Sequence, residues 1–187
     1  GFKGQCVLNS AATEMNFKSL IHEYDVIHIA THAFSNDEKP EFSGMVFSQH
    51  HEDSIAQLAS STIVTFENEN NKNGNDGILH AGEMYSLNLD ADLVVLSACE
   101  TGIGKLVKGE GMIAMTRGLI YSGTNNILYT LWKISDKHTH NFMVDFYGQI
   151  LKGESYANAL RFAKLQMIAK ESTAFPKLWS GYMLIGQ

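Results

Sequence analysis

The amino-acid sequence predicts an α/β domain with a mostly parallel β-sheet and helices on both of its faces. Short, β-branched apolar runs of strand length recur along the chain, a pattern typical of strands that are covered on both sides. The segments between these runs carry apolar residues at helical spacing. Because strands and helices alternate in this order, crossover connections between parallel strands are favoured.

Composition limits the classes of protein that fit this chain. A length of 187 residues, with 44% hydrophobic and 18% charged residues, favours one folded domain over residues 1–187 and excludes a disordered chain. A net charge of −6 without a dense basic stripe argues against direct nucleic-acid binding. Two cysteines cannot form a disulfide framework, and we recognise no secretory leader or membrane-length apolar run. We therefore expect a cytoplasmic protein that does not bind membranes.

The predicted elements follow in chain order. Residues 6–8 resemble a short strand, and residues 12–24 carry apolar side chains at helical spacing, with Ser10 available as the helix cap. Four later apolar runs predict strands at residues 25–31, 92–98, 126–132 and 182–185. Apolar stripes predict helices around residues 112–119, 142–150 and 156–167. The Asn-rich residues 66–77 predict a solvated loop.

Two of the predicted strands lead directly into residues with reactive side chains. His32 follows the first long apolar run and Cys99 follows the second. Loops and ligands gather at the carboxyl ends of parallel strands, where a histidine can take the proton of a cysteine thiol. The backbone N–H groups of Ala33 and Cys99 are candidate oxyanion donors. The pattern favours acyl transfer to water, although a cysteine at a strand end is often a buried, inert core residue.

Other short motifs fit their usual functions poorly. Residues 109–114 match G-x-G-x-x-A, but they lie too far from the preceding strand for a dinucleotide site. Gly104 and Lys105 resemble a phosphate loop that lacks its first glycine and its magnesium-binding hydroxyl. The histidine pairs at residues 50–51 and 138–140 do not converge on one metal centre. We expect no cofactor and no metal.

Four sequence blocks resemble, in chain order, the signature blocks of CHAT domains, which are caspase-like and separase-like cysteine peptidase domains often joined to tetratricopeptide repeats. The blocks are residues 28–33 (HIATHA), 96–104 (LSACETGIG), 109–111 (GEG) and 131–136 (LWKISD). The resemblance runs from about residue 8 to the last residue. It implies a caspase-like three-layer sandwich.

The resemblance also implies roles for individual residues. His32 matches the catalytic histidine, Cys99 matches the nucleophile, and His28 becomes a strand residue without a catalytic part. Ala33 stands where the family usually has glycine, so a methyl group must be accommodated there. CHAT domains also extend further toward the N-terminus, which predicts that an N-terminal portion is missing from this chain.

Three functions are compatible with these residues. The first is a cysteine endopeptidase that cleaves a protein substrate, with the enzyme itself as one candidate, under the control of a repeat domain or an activating subunit. The second is a catalytically silent caspase-like module that binds protein partners. The third is a non-peptidase acyl hydrolase that uses the same dyad. Retention of both His32 and Cys99 favours the first.

Asp136 carries a prediction of specificity. It follows the apolar run at residues 126–132, and its position resembles that of an acidic residue in separase-like peptidases that faces the side chain before the cleaved bond. A carboxylate there would pair with arginine or lysine, so a basic residue is predicted before the scissile bond. The alternative is that Asp136 begins a helix as a cap or dipole partner.

Overall fold

The computed structural model describes residues 3–36, 38–48, 75–97, 99–100 and 110–186. The strands in these ranges are β1 (Val26–Ile29), β2 (His32–Phe34), β3 (Gly44–Val46), β4 (Ile78–His80), β5 (Leu93–Leu96), β6 (Cys99–Glu100), β7 (Asn126–Thr130) and β8 (Tyr182–Gly186). The helices are α1 (Glu14–Leu20), α2 (Ala81–Met84), α3 (Glu110–Tyr121), α4 (Asp136–Ile150) and α5 (Tyr156–Ile168). The described part of the chain is therefore a mixed α/β structure.

The main sheet, here sheet A, has the strand order β1-β5-β7-β8. Strands β1, β5 and β7 are parallel, and β8 runs antiparallel to β7. The four apolar runs of the sequence form these four strands, so the predicted, mostly parallel sheet is confirmed.

A second sheet, here sheet B, has the order β4-β3-β2-β6. Its strands are two or three residues long, and β4, β3 and β2 are antiparallel neighbours. Strand β6 pairs with β2 in parallel. Sheet B was not predicted, because strands of two or three residues are too short to show an alternating apolar pattern.

Both faces of sheet A are covered, and the alternating residues of β5 show how. Val94 and Leu96 belong to one buried cluster and Leu93 and Val95 to the other. The first cluster includes residues of α3 and sheet B, and the second includes residues of α4 and α5. Burial on both faces explains why the strands read as continuous apolar runs rather than as alternating ones.

Helices α3, α4 and α5 agree with the predicted helical stripes, whereas the N-terminal predictions need correction. Residues 6–8 are not a strand. Helix α1 begins at Glu14, and its cap is Thr13, whose hydroxyl accepts a hydrogen bond from the Asn16 N–H at 3.2 Å. Ser10 is instead part of a short 3₁₀ turn. No helix within the described ranges is long and apolar enough to cross a bilayer.

Helix α3 packs closely against the segment that follows β2, and Gly111 is the contact point. Gly111 is buried, and a Cβ atom there would collide with the Ser35 and Ser43 hydroxyl oxygens. Gly109 lies outside the described residues, whereas residues 110–114 of the motif belong to α3. Close packing therefore explains why residue 111 is glycine, and no dinucleotide-binding role is needed to explain it.

A buried charge cluster ties α1 to the region of β4 and α2. The Glu14 carboxylate is 1% exposed and lies 2.5 Å from the Lys18 ammonium. It also accepts a hydrogen bond from the Gly77 N–H at 2.9 Å. Lys18 in turn reaches Glu83 at 3.3 Å. Burial raises the pKa of Glu14 above its usual value, against the opposing effects of Lys18 and the Gly77 N–H.

Candidate functional site

Two strands of sheet A continue into sheet B, and the candidate site lies where they do so. After β1 the chain continues through residues 30–31 into β2, and after β5 it continues through residues 97–98 into β6. Strands β1 and β5 are parallel neighbours, and so are β2 and β6. The same pair of chain segments is therefore paired in both sheets.

The parallel register of β2 and β6 sets His32 directly opposite Cys99. This is the neighbouring placement expected from residues that follow adjacent parallel strands. Partner residues on adjacent strands are separated by the strand spacing, about 4.8 Å. The His32 side chain is exposed. The catalytic roles of the two residues stay a prediction.

Strand β2 is held on both sides, which fixes the backbone around His32. It pairs with β3 on one side and β6 on the other, and the hydroxyl of Thr31 donates a hydrogen bond to the Val46 carbonyl. Ala33 is 0% exposed and belongs to the cluster that contains Met45 and Leu79. The methyl group at this position is therefore accommodated by the core. The proposed oxyanion role of the Ala33 and Cys99 N–H groups is not tested.

Asp136 lies at the start of a helix that follows a sheet A strand. It is the first residue of α4, six residues after Thr130, the last residue of β7, and its side chain is exposed. The preceding Ser135 caps no backbone group with its hydroxyl and instead lies 2.5 Å from His138 Nδ1. A carboxylate in the first turn interacts favourably with the helix dipole, so the predicted alternative role of Asp136 fits this position. A substrate-binding role is not tested.

A hydrogen-bonded network joins both strands of the site to α4, and the sequence did not reveal it. His28 Nε2 lies 2.8 Å from the Ser97 hydroxyl, and His28 Nδ1 lies 3.1 Å from the Tyr147 hydroxyl. His28 keeps an exposed edge, yet the protein atoms around the ring desolvate it and lower its pKa. Burial likewise raises the pKa of Tyr147 far above its ordinary value. Both rings are therefore neutral at pH 7.

Only one feature of the sequence pointed to this network. His28 is a polar residue inside an apolar strand run, and such a residue usually has a hydrogen-bond partner. Its partners lie 69 and 119 residues away in the chain. They could not be named without the strand order and the position of α4.

A cleft of about 880 Å³ opens along β1 beside this network. All residues from Asp25 to Thr31 line it, together with Tyr147 and N-terminal residues such as Val7 and Leu8. In the described residues β1 pairs with β5 alone, so its other edge faces the cleft.

The structure gives no support to a metal or phosphate site at the other motifs of the sequence, as far as the described residues extend. The described residues contain no group of three or more potential metal ligands. Residues 50–51 and the phosphate-loop-like residues 104–105 lie outside the described ranges. His138 is engaged with Ser135 as described above.

Comparison with known proteins adds two findings. The profile of the CHAT domain family matches residues 3–187. Over 109 residues, the chain is 31% identical to human (Homo sapiens) tetratricopeptide repeat protein 28 and 29% identical to the mouse (Mus musculus) protein of that name. These alignments cover 58% of this chain and 4% of each relative. The chain thus matches a small part of much longer repeat proteins.

Proposed function

The chain belongs to the CHAT domain family, and from that premise we propose that it is a cysteine endopeptidase that cleaves a protein substrate. In this proposal His32 takes the proton of the Cys99 thiol, and the resulting thiolate attacks the carbonyl carbon of the scissile peptide bond. The protonated histidine then donates its proton to the leaving amine, and water hydrolyses the acyl-enzyme. Neither step requires a metal or cofactor.

The observation that carries the proposal is the pairing of His32 with Cys99 in one parallel register. Proton transfer needs the two groups within hydrogen-bond reach. Paired strands bring two backbones as close as secondary structure allows, and neighbours on both sides of β2 hold His32 there. Helices over both faces of sheet A are consistent with a caspase-like three-layer sandwich, which is part of this proposal.

The oxyanion site and the specificity site complete the proposal. The backbone N–H groups of Ala33 and Cys99 are the donors assigned to the tetrahedral intermediate. Asp136 is assigned the role of binding a basic side chain of the substrate, on the residue before the scissile bond. Its exposed carboxylate at the start of α4 is accessible to such a group.

The long relatives suggest how the activity is regulated. They are named tetratricopeptide repeat proteins, and we extend that to this chain by proposing that repeats or an activating subunit control its cleft. The expected compartment is the cytoplasm, where a free thiol stays reduced.

The test is the reactivity of Cys99 toward iodoacetamide. Cys6, the other cysteine of the chain, is first replaced by serine so that one thiol remains. A thiol paired with histidine carries more thiolate below its ordinary pKa of about 8.5. His32→Ala should therefore slow alkylation at pH 6 by about tenfold or more. The matched control is His22→Ala, which removes an exposed histidine and should leave the rate unchanged.

An equal rate in His32→Ala and in the parent protein would refute the dyad. That result would favour the silent protein-binding module instead. A fast, His32-dependent thiol that hydrolyses small esters but no peptide would favour the acyl hydrolase.

A further inference from the structure

We propose that His28, Ser97 and Tyr147 form a positioning network that holds the two strand ends carrying His32 and Cys99 in register. This inference rests on the proposed function, because it assigns a role in aligning the proposed dyad. It adds three residues that neither sequence motifs nor family membership assigned to the site.

The network acts at the point where the strands leave sheet A. His28 is paired with Val95 and lies four residues before His32. Ser97 lies two residues before Cys99, and its N–H donates to the Ile29 carbonyl at 3.0 Å. This bond and the His28–Ser97 side-chain bond both connect the two segments at the carboxyl ends of β1 and β5.

Helix α4 supplies the third member from the layer above. Tyr147 contacts His28 through its hydroxyl at 3.1 Å, and the two ring centroids are 5.8 Å apart. Phe146, the neighbour of Tyr147, is fully buried in the cluster beneath α4. The Tyr147 hydroxyl is therefore presented from an anchored part of the helix.

The protonation states allow a continuous chain of hydrogen bonds. A neutral imidazole has one N–H donor and one acceptor nitrogen, and desolvation keeps the His28 imidazole neutral. In one tautomer Tyr147 donates to Nδ1 and Nε2–H donates to Ser97. In the other tautomer Ser97 donates to Nε2 and Nδ1–H donates to Tyr147. Both ring nitrogens and both hydroxyl oxygens take part in a hydrogen bond in either case.

The test compares two Tyr→Phe variants in the Cys6→Ser background. Tyr147→Phe removes the hydroxyl that contacts His28. Tyr182→Phe is the matched control, since Tyr182 lies in the same buried cluster and its hydroxyl donates to Thr139 at 3.2 Å, away from β1. Two quantities are measured: hydrogen exchange at the Ser97 amide and the pH profile of Cys99 alkylation.

We expect Tyr147→Phe to speed Ser97 amide exchange about fivefold relative to the control, the change that loss of one net hydrogen bond produces. The alkylation profile should move toward higher pH in Tyr147→Phe and stay in place in Tyr182→Phe. His28→Gln, which retains a polar group near the Nε2 position, should restore more of the alkylation rate than His28→Ala.

Unchanged Ser97 exchange in Tyr147→Phe would overturn the inference whatever the state of the dyad. Equal shifts of the alkylation profile in both tyrosine variants would also overturn it, because general destabilisation would then be the cause. Failure of the proposed function is separate: it appears as His32-independent alkylation in the parent protein, while Ser97 exchange still decides whether the network holds the strand ends.

Discussion

At the scale of single residues, the histidines of one segment have different surroundings. His28 and His32 are four residues apart and both keep exposed atoms, yet the His28 ring is hydrogen-bonded to Ser97 and Tyr147, and desolvation by the surrounding protein lowers its pKa. A neutral imidazole with partners on both ring nitrogens is suited to a fixed structural role. The proposed division of roles between the two histidines rests on this difference.

Lys18→Met should destabilise the protein in a pH-dependent way. The variant leaves the Glu14 carboxyl buried without its cation, which raises the pKa of Glu14 further. Below pH 4.5, the ordinary pKa of a glutamate carboxyl, the Glu14 carboxyl is protonated in both the folded and the unfolded state and the cost is small. As the pH rises through the folded-state pKa the cost grows, reaching about 2 kcal/mol near pH 7, less than for a fully buried pair because Lys18 is partly exposed.

Denaturant unfolding between pH 4 and 7 measures this cost. Lys18→Arg keeps the positive charge and serves as the control, for which we expect little change. A Lys18→Met deficit that is constant over this pH range would contradict the assignment to Glu14.

Asp136→Asn should lower kcat/KM for peptides with arginine before the cleaved bond by about 30-fold, provided that the substrate buries the carboxylate. Peptides with an apolar residue there should be affected much less. A fluorogenic peptide panel on the activated protein measures both. Asp145→Asn, on the same helix, is the control, and equal effects on all peptides would remove Asp136 from the substrate site.

At the scale of elements, sheet A and the helices α1, α3, α4 and α5 could be predicted, whereas sheet B and the four-residue helix α2 could not. Strands such as β5 and β7 are fully buried along their length, and helices such as α5 repeat apolar residues at regular spacing, so both leave strong local patterns. Strand β3 has three residues and exists because β2 and β4 pair with it. Such pairing depends on residues that are distant in sequence, which no local pattern contains.

The residues of the candidate site also fall into a group that the sequence could predict and a group that it could not. His32 and Cys99 could be named because each follows a long apolar run. The Ser97–His28–Tyr147 network could not, because it depends on the β1–β5 register and on the packing of α4. The cap of α1 was also misassigned, since Ser10 and Thr13 are equally suitable residue types and the local backbone decides between them.

Gly111→Ala tests the close approach of α3 to the segment after β2. The added methyl group meets two serine side chains, so we expect a destabilisation of about 2 kcal/mol from overpacking. Gly148→Ala is the matched control in α4, where the added Cβ meets nothing within 4 Å. That variant should be more stable than the parent by about 0.5–1 kcal/mol, because alanine is the better helix former. Thermal unfolding measures the change in stability of each variant relative to the parent protein. Changes of the same sign in the two variants would contradict this account.

At the scale of the whole molecule, we expect the 187-residue chain alone to be a slow peptidase. In the described residues the β1 edge of sheet A is open to a cleft of about 880 Å³ beside the site, and an incompletely enclosed cleft positions a substrate poorly. Turnover of a protein substrate should stay well below the roughly 10 per second typical of enzymes. Attachment of repeats or an activating subunit should raise it. If the chain alone reached that typical turnover rate, control by repeats or an activating subunit would be contradicted.

The two-sheet path of the strands separates the proposed His32–Cys99 dyad from the proposed specificity residue. His32 and Cys99 share one ladder of sheet B, whereas Asp136 follows a strand of sheet A. A change in the angle between the sheets would move the proposed nucleophile and its proposed base together and would alter their distance from Asp136. A partner that changes this angle would therefore alter which substrates fit and would leave the proposed acid–base pair intact.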